Sequence, residues 1–169
     1  MTILALDPSR HTGAAWEQNG AIAYATWDLG DNQRLRLLNL VDHISAIANA
    51  STHGISILGY ETPWAGPNFT AVRALCHYEA MILAWSQRAG VMCYGYTPRE
   101  IKASIRIGPG RKEGVIRGVK LCGFDPKDDN QADALAILLM MMKNVLPSKE
   151  VKTFRKQTNK KMPTLFSRR

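Results

Sequence analysis

Cysteine is scarce in this chain. Cys76, Cys93 and Cys122 are odd in number and lack the paired spacing of a thiolate zinc site, which excludes a disulfide-built scaffold and predicts reduced core residues of a cytosolic protein. Long hydrophobic runs are missing too. A bilayer-spanning helix needs about 20 consecutive apolar residues, and the run at 135–142 is far shorter, so no membrane partner is expected. Met1 leads straight into an apolar stretch without a charged leader and cleavage site, which predicts a cytoplasmic protein in whichever cell makes it. Acidic residues are sparse, 14 against 22 Lys and Arg, for a formal charge of +8. Most of the excess sits in residues 148–169, where eight Lys or Arg face Glu150 alone. The remainder is nearly neutral. A length of 169 residues suits one domain, read as 1–147, and the polar, basic 148–169 reads as a tail that is disordered until it binds a polyanion.

Apolar stretches at 2–6, 13–17 and 21–27 read as three strands, with Asn19-Gly20 as the hairpin signal between the last two. From Asn32, apolar positions Leu35, Leu38, Val41, His43, Ile44, Ile47 and Ala48 recur as one face of a helix ending near 51–54. A strand at 55–60 ends at Glu61, and Pro63, Gly66 and Pro67 break the chain after it. Asn68 suits the N-cap of a helix to about Ala89, with Gly90 at its C-terminal side. A strand at 91–96 precedes a Thr97-Pro98 helix start, and helices are expected through 105, over 111–121 and over 129–145. An initial antiparallel meander followed by alternating strands and helices predicts an α/β fold, a mixed sheet flanked by helices.

The few acids stand in unusual places. Asp7 and Glu61 end apolar strands, and 128–136, Asp-Asp-Asn-Gln-Ala-Asp-Ala-Leu-Ala, opens an apolar helix. An ionised carboxylate in a poorly solvated site is strongly disfavoured, so several together suggest divalent cations, with magnesium the natural choice for oxygen ligands. Each acid also has a plainer reading: Asp7 as a turn former before Pro8, Glu61 as a solvated strand end, Asp129 as a helix N-cap. Asp133 is harder to dismiss, since it lies one turn into an Ala/Leu-rich helix on the same side as Asp129.

The segments ILALDPSRHTGAAW (3–16), ILGYETPW (57–64), TPREIKASIRIGPGRK (97–112) and DDNQADALAIL (128–138) together resemble the RuvC-type Holliday junction resolvases, a branch of the ribonuclease H-like nucleases. The resemblance covers most of residues 1–145. It implies a five-stranded mixed sheet with helices on both sides and a homodimer acting on four-way DNA junctions. The implied activity is that of a crossover junction endodeoxyribonuclease of DNA recombination and repair, making paired nicks that leave 5′-phosphate and 3′-hydroxyl ends. Asp7, Glu61 and Asp133 match its metal-binding carboxylates, which would hold two Mg2+ ions, with Mn2+ as a substitute. The family's fourth aspartate falls on Asn130 here, so Asp129 is taken as the fourth ligand, Asn130 through its carbonyl as the alternative, and Asp128 as a weaker third choice. The shortened acidic set and the compact, tailed chain fit the smaller resolvases of bacteriophages.

Trp64 matches a base-engaging aromatic of that family, though a loop anchor is the plainer reading. Lys102 and Lys112 match its DNA-contacting basic positions, and Arg99, Arg106 and Arg111 extend the same patch, unless all line a solvated helix face. The helix at 68–89 is apolar over more than one face, which predicts a dimer interface or burial within one subunit. His53 and His77 pair with no cysteine, and His11 lies near Asp7 in the turn. Met162-Pro163-Thr164-Leu165-Phe166 loosely resembles peptides that dock on sliding clamps, although phosphate contacts by the tail's basic residues suit it better. A non-catalytic branched-DNA-binding module on the same fold and an actin-like phosphotransferase are the rival functions; single-domain length argues against the second.

Overall fold

The computed structural model describes residues 1–64, 68–104 and 112–145. The chain folds as β1 (Thr2–Asp7), β2 (His11–Gln18), β3 (Ala21–Asp28), α1 (Gln33–Ala50), β4 (Ile57–Glu61), α2 (Phe69–Ala89), β5 (Met92–Tyr96), α3 (Pro98–Ser104), α4 (Lys112–Leu121) and α5 (Asp129–Val145). The strands form one sheet in the order β3-β2-β1-β4-β5. β1, β2 and β3 pair antiparallel, whereas β4 and β5 join β1 in parallel. This is the mixed five-stranded α/β sheet expected from the sequence. Among the described residues, no helix is long and apolar enough to cross a membrane.

The hairpin turns where the sequence signals it, since Asn19 and Gly20 both take positive φ, 53° and 84°. Helix ends follow the same local chemistry. The Asn68 side chain accepts from the Ala71 N–H, and Gly90 closes α2 in the left-handed region at φ 67°. Thr97 and Glu100 form a capping box on α3: the Glu100 carboxylate accepts from the Thr97 N–H and hydroxyl, and the Thr97 hydroxyl accepts from the Glu100 N–H. Those bonds hold the Glu100 carboxyl below the usual glutamate range.

Strand alternation divides the core in two. Ile3, Ala5, Ala15 and Ile57 pack against α3, α4 and α5. Leu4, Leu6, Ala14, Trp27, Leu58 and Tyr60 face α1 and α2 on the other side. Helices therefore cover both faces, as the resemblance implies. The buried stripe of α1 differs from the one read off the sequence: Leu35 and Leu38 are exposed, and Leu40 and Ile44 are buried with Leu37, Ile47 and Ala48 packed beside them. His43 stacks on Trp27, ring centroids 4.8 Å apart. None of the cysteines forms a disulfide, but Cys76 is exposed on α2 rather than in the core.

Two glycines let α5 lie close on the sheet. A Cβ on Gly13 would collide with the backbone carbonyl of Asn130, and one on Gly59 would meet the Met141 thioether. Backbone cannot swing aside as a thioether can. Gly13→Ala is therefore expected to lower stability by about 1–3 kcal/mol and Gly59→Ala by clearly less, read by chemical denaturation; equal losses would show that α5 is free to shift.

Candidate functional site

β1, β3, β4 and β5 all end on one rim of the sheet, as their pairing directions require. Helices α1, α2 and α3 follow those strand ends, and α5 starts there too, because Asn130 lies against Gly13, the partner of Asp7. The N-termini of the longer helices α1, α2 and α5 thus turn partial positive charge toward this rim, which favours an anionic ligand.

The register decides which acids meet. Asp7 pairs with Gly13 and shares the Ile3–Ala5 face, the one α5 covers. β1 and β4 match Leu6 with Tyr60, so the next step sets Asp7 beside Glu61 where both strands end. Glu61 shares its face with Gly59, which lies under Met141 of α5. Asp133 is two helical turns before Met141 on the same side of α5, which aims it toward Glu61. Electrostatics agrees with that placement. Burial, reinforced by the negative charge of Asp133 and opposed by the Lys102 ammonium, pushes the half-buried Glu61 carboxyl up to about 7. Glu61 on β4 therefore feels the charges of Asp133 on α5 and Lys102 on α3.

The front of α5 corrects the sequence reading. Asp128 is the N-cap, not Asp129: its carboxylate accepts from the Gln131 N–H at 2.8 Å, and its backbone carbonyl accepts from the Ala132 N–H. The Thr26 hydroxyl lies 2.7 and 2.8 Å from the two Asp128 oxygens and donates to that carboxylate from the neighbouring strand. Asp128 thereby fastens α5 to β3. Asp129 is the first helical residue, one turn before Asp133, and Asn130 sits over β2. The sequence reading places the cap at Asp129; the bonds from Gln131, Ala132 and Thr26 place it at Asp128. Asp128→Ala is expected to cost about 1–2 kcal/mol of stability, measured by thermal melting; an unchanged melt would contradict the cap.

The donors suit a hard divalent cation. Among the described residues, no three of His, Cys, Asp and Glu are gathered tightly enough to enclose an ion alone. Magnesium does not need that, since it is held by one or two carboxylates and completes its shell with waters and substrate phosphates. Carboxylates from three elements, two of them repelling, fit such an ion by charge and by donor type.

Of the basic and aromatic candidates, Arg99 and Lys102 are exposed on α3 beside the rim, and Trp64 is 68% exposed three residues past Glu61. Arg106 and Arg111 lie outside the described residues, as does the tail at 148–169; Lys112 opens α4. α2 buries Tyr78, Ile82 and Ser86 and exposes Phe69, Cys76 and Leu83 on its other side. His11 begins β2 with its Nε2 3.7 Å from an Asp28 oxygen. Sequence reading missed the roles of Thr26 and Gly13; a lone glycine inside a strand was the available signal for the second.

No family model and no curated protein sequence matches the chain. Solved structures do. Thermus thermophilus RuvC in complex with a Holliday junction substrate aligns with a TM-score of 0.68 at 16% identity, over 93% of this chain and 95% of that one. Another structure of T. thermophilus RuvC aligns with a TM-score of 0.63 at 18% identity, over 94% and 97%. The five-stranded mixed sheet flanked by helices is accordingly the fold of those RuvC structures.

Proposed function

We propose that this protein is a magnesium-dependent, structure-selective DNA endonuclease that resolves four-way junctions by paired nicks. The observation that supports this reading is a rim of a RuvC-type fold where Asp7 and Glu61 end neighbouring strands and Asp133 of α5 acts on the Glu61 carboxyl, which burial and that charge raise to about 7. Asp7, Glu61 and Asp133 would hold the metal, with Asp129 as the fourth ligand and Asn130 as its alternative, and magnesium held there would supply an activated water and charge stabilisation for the attacking and departing oxygens. The chain itself orients the phosphodiester. Arg99 and Lys102 on one flank meet backbone phosphates, Arg106, Arg111 and Lys112 serve as further DNA-contacting residues, and Trp64 stacks on a base unstacked at the branch.

A second copy docks on the exposed Phe69, Cys76 and Leu83 side of α2, presenting two such rims to the two-fold symmetry of a junction. Residues 1–147 form the nuclease domain, and the basic tail at 148–169 adds sequence-independent phosphate contacts that weaken with salt. The test is cutting of four-way, Y-shaped and linear duplex DNA, with and without magnesium. Preferential, magnesium-dependent cutting of the four-way substrate is expected; equal cutting of all three removes the structure selectivity.

A further inference from the structure

The rim has a second flank. β3 ends at Asp28, two strands from β1 and about 10 Å across the sheet on the side opposite α3. There the β1–β2 turn meets the loop entering α1. The turn is fixed by its own bonds: the Ser9 N–H donates to the Thr12 hydroxyl, which donates to the Ser9 carbonyl, and the Arg10 carbonyl accepts from the Leu29 N–H. The loop is fixed by Arg36, which donates to the Gly30 and Asp31 carbonyls at 2.6 and 2.7 Å. Between these two anchored backbones lies an exposed ion pair. Arg10 Nη2 is 2.6 Å from Asp31 Oδ1, and Arg10 Nε is 3.9 Å from Asp28 Oδ1. Asp31 is 86% exposed and Arg10 44%.

We propose that Arg10 is a phosphate-binding residue for the DNA backbone, masked in the free protein by Asp31 and unmasked by the substrate. This rests on reading the rim as a DNA site. Arg10 follows Asp7 by three residues in the turn at the same rim, on the opposite flank from Arg99 and Lys102, which places it to meet a strand that extends past the carboxylates on that side. An exposed ion pair is weak and screened by salt, whereas a guanidinium fork matches a phosphate in shape and charge. With the turn and the loop both anchored, exchanging Asp31 for a phosphate requires only side-chain rotation. Asp28 stays behind as a brace: its carboxylate accepts from the Gly30 N–H, and that bond, with His11, Arg10 and Arg36 nearby, holds its pKa below the usual range. The Asp31 carboxylate makes this flank disfavour polyanions until it is displaced, so it tunes how readily DNA is accepted.

The test is fluorescence anisotropy of a labelled four-way junction and a linear duplex in chelator, from about 50 to about 200 mM salt. Arg10→Ala is expected to weaken binding roughly tenfold and to lessen the salt slope by about one phosphate contact, with circular dichroism unchanged. Arg10→Lys keeps the slope while losing part of the affinity. Asp31→Asn tightens binding several-fold, an outcome that a purely structural ion pair does not give. An unchanged slope in folded Arg10→Ala, or no tightening in Asp31→Asn, overturns the proposal. Wild type that binds duplex but not junctions sinks the junction reading and leaves Arg10 to be judged on duplex; wild type that binds neither overturns both.

Discussion

Asp133→Asn and Asp7→Asn are each expected to slow junction cutting by at least about a thousandfold, equivalent to about 4 kcal/mol of lost transition-state stabilisation. The substitution is nearly isosteric, and Asp7 and Asp133 are each only partly buried, so the fold should survive. What disappears is charge. Asp7 and Glu61 end adjacent strands, and Asp133 already acts on Glu61 through space. Removing one carboxylate weakens the hold on a hard cation that depends on few protein ligands. DNA binding should move the other way, because a negative charge facing a polyanion is lost. Junction affinity in chelator is therefore expected to be unchanged or tighter in both variants. Single-turnover cutting and equilibrium binding, measured side by side, separate the two effects. Wild-type cutting by either variant removes that residue from the site, and a fall in binding parallel to cutting shows a structural role instead.

Glu61→Gln carries the second large effect, on stability as well as activity. The Glu61 carboxyl is pushed from 4.5 up to about 7 in the folded chain, first by burial and then by Asp133. A raised carboxyl means that the folded state binds the proton more tightly than the unfolded state does. The stabilising contribution is therefore complete below about 4.5 and is lost as pH rises through about 7. In chelator at pH 8 the ionised Glu61 costs the wild type up to about 3 kcal/mol, a cost that a neutral amide does not carry. Glu61→Gln should accordingly melt several degrees higher than wild type at pH 8, and the two should converge below pH 4.5. Adding magnesium should raise the wild-type melting temperature at pH 8 and leave the variant almost unmoved, while the variant cuts no junction. A variant less stable than wild type at pH 8 would contradict this picture of Glu61.

Much of this was legible in the sequence because the signals were local. Asp7 and Glu61 are recognisable as strand ends because apolar runs stop at them, and once the register of β1 and β4 is known they become neighbours. Asn19-Gly20, Asn68, Gly90 and Thr97-Pro98 mark their turn and helix ends through chemistry confined to a few residues. The front of α5 was not legible in the same way. Successive residues on a helix point about 100° apart, so Asp128, Asp129 and Asn130 differ widely in what they face, and contacts with distant strands, the Thr26 hydroxyl of β3 and Gly13 of β2, fix the phase. The buried stripe of α1 was misread for a related reason. Leu35, Leu37, Leu38 and Leu40 crowd one segment, and periodicity cannot choose among them until Trp27 and the α2 face are in place. The Arg10–Asp31 pair joins a turn to a distant loop and has no local signature at all.

The most direct measurement is strand mapping of a synthetic four-way junction, each strand 5′-labelled in turn, incubated with the full chain in magnesium or in chelator. Symmetric nicks in two opposing strands, leaving ligatable 5′-phosphate and 3′-hydroxyl ends and appearing only with magnesium, are the predicted result. A protein that binds the junction tightly yet leaves all four strands intact in magnesium and in manganese would contradict it and would mark the chain as a binding module on a nuclease fold.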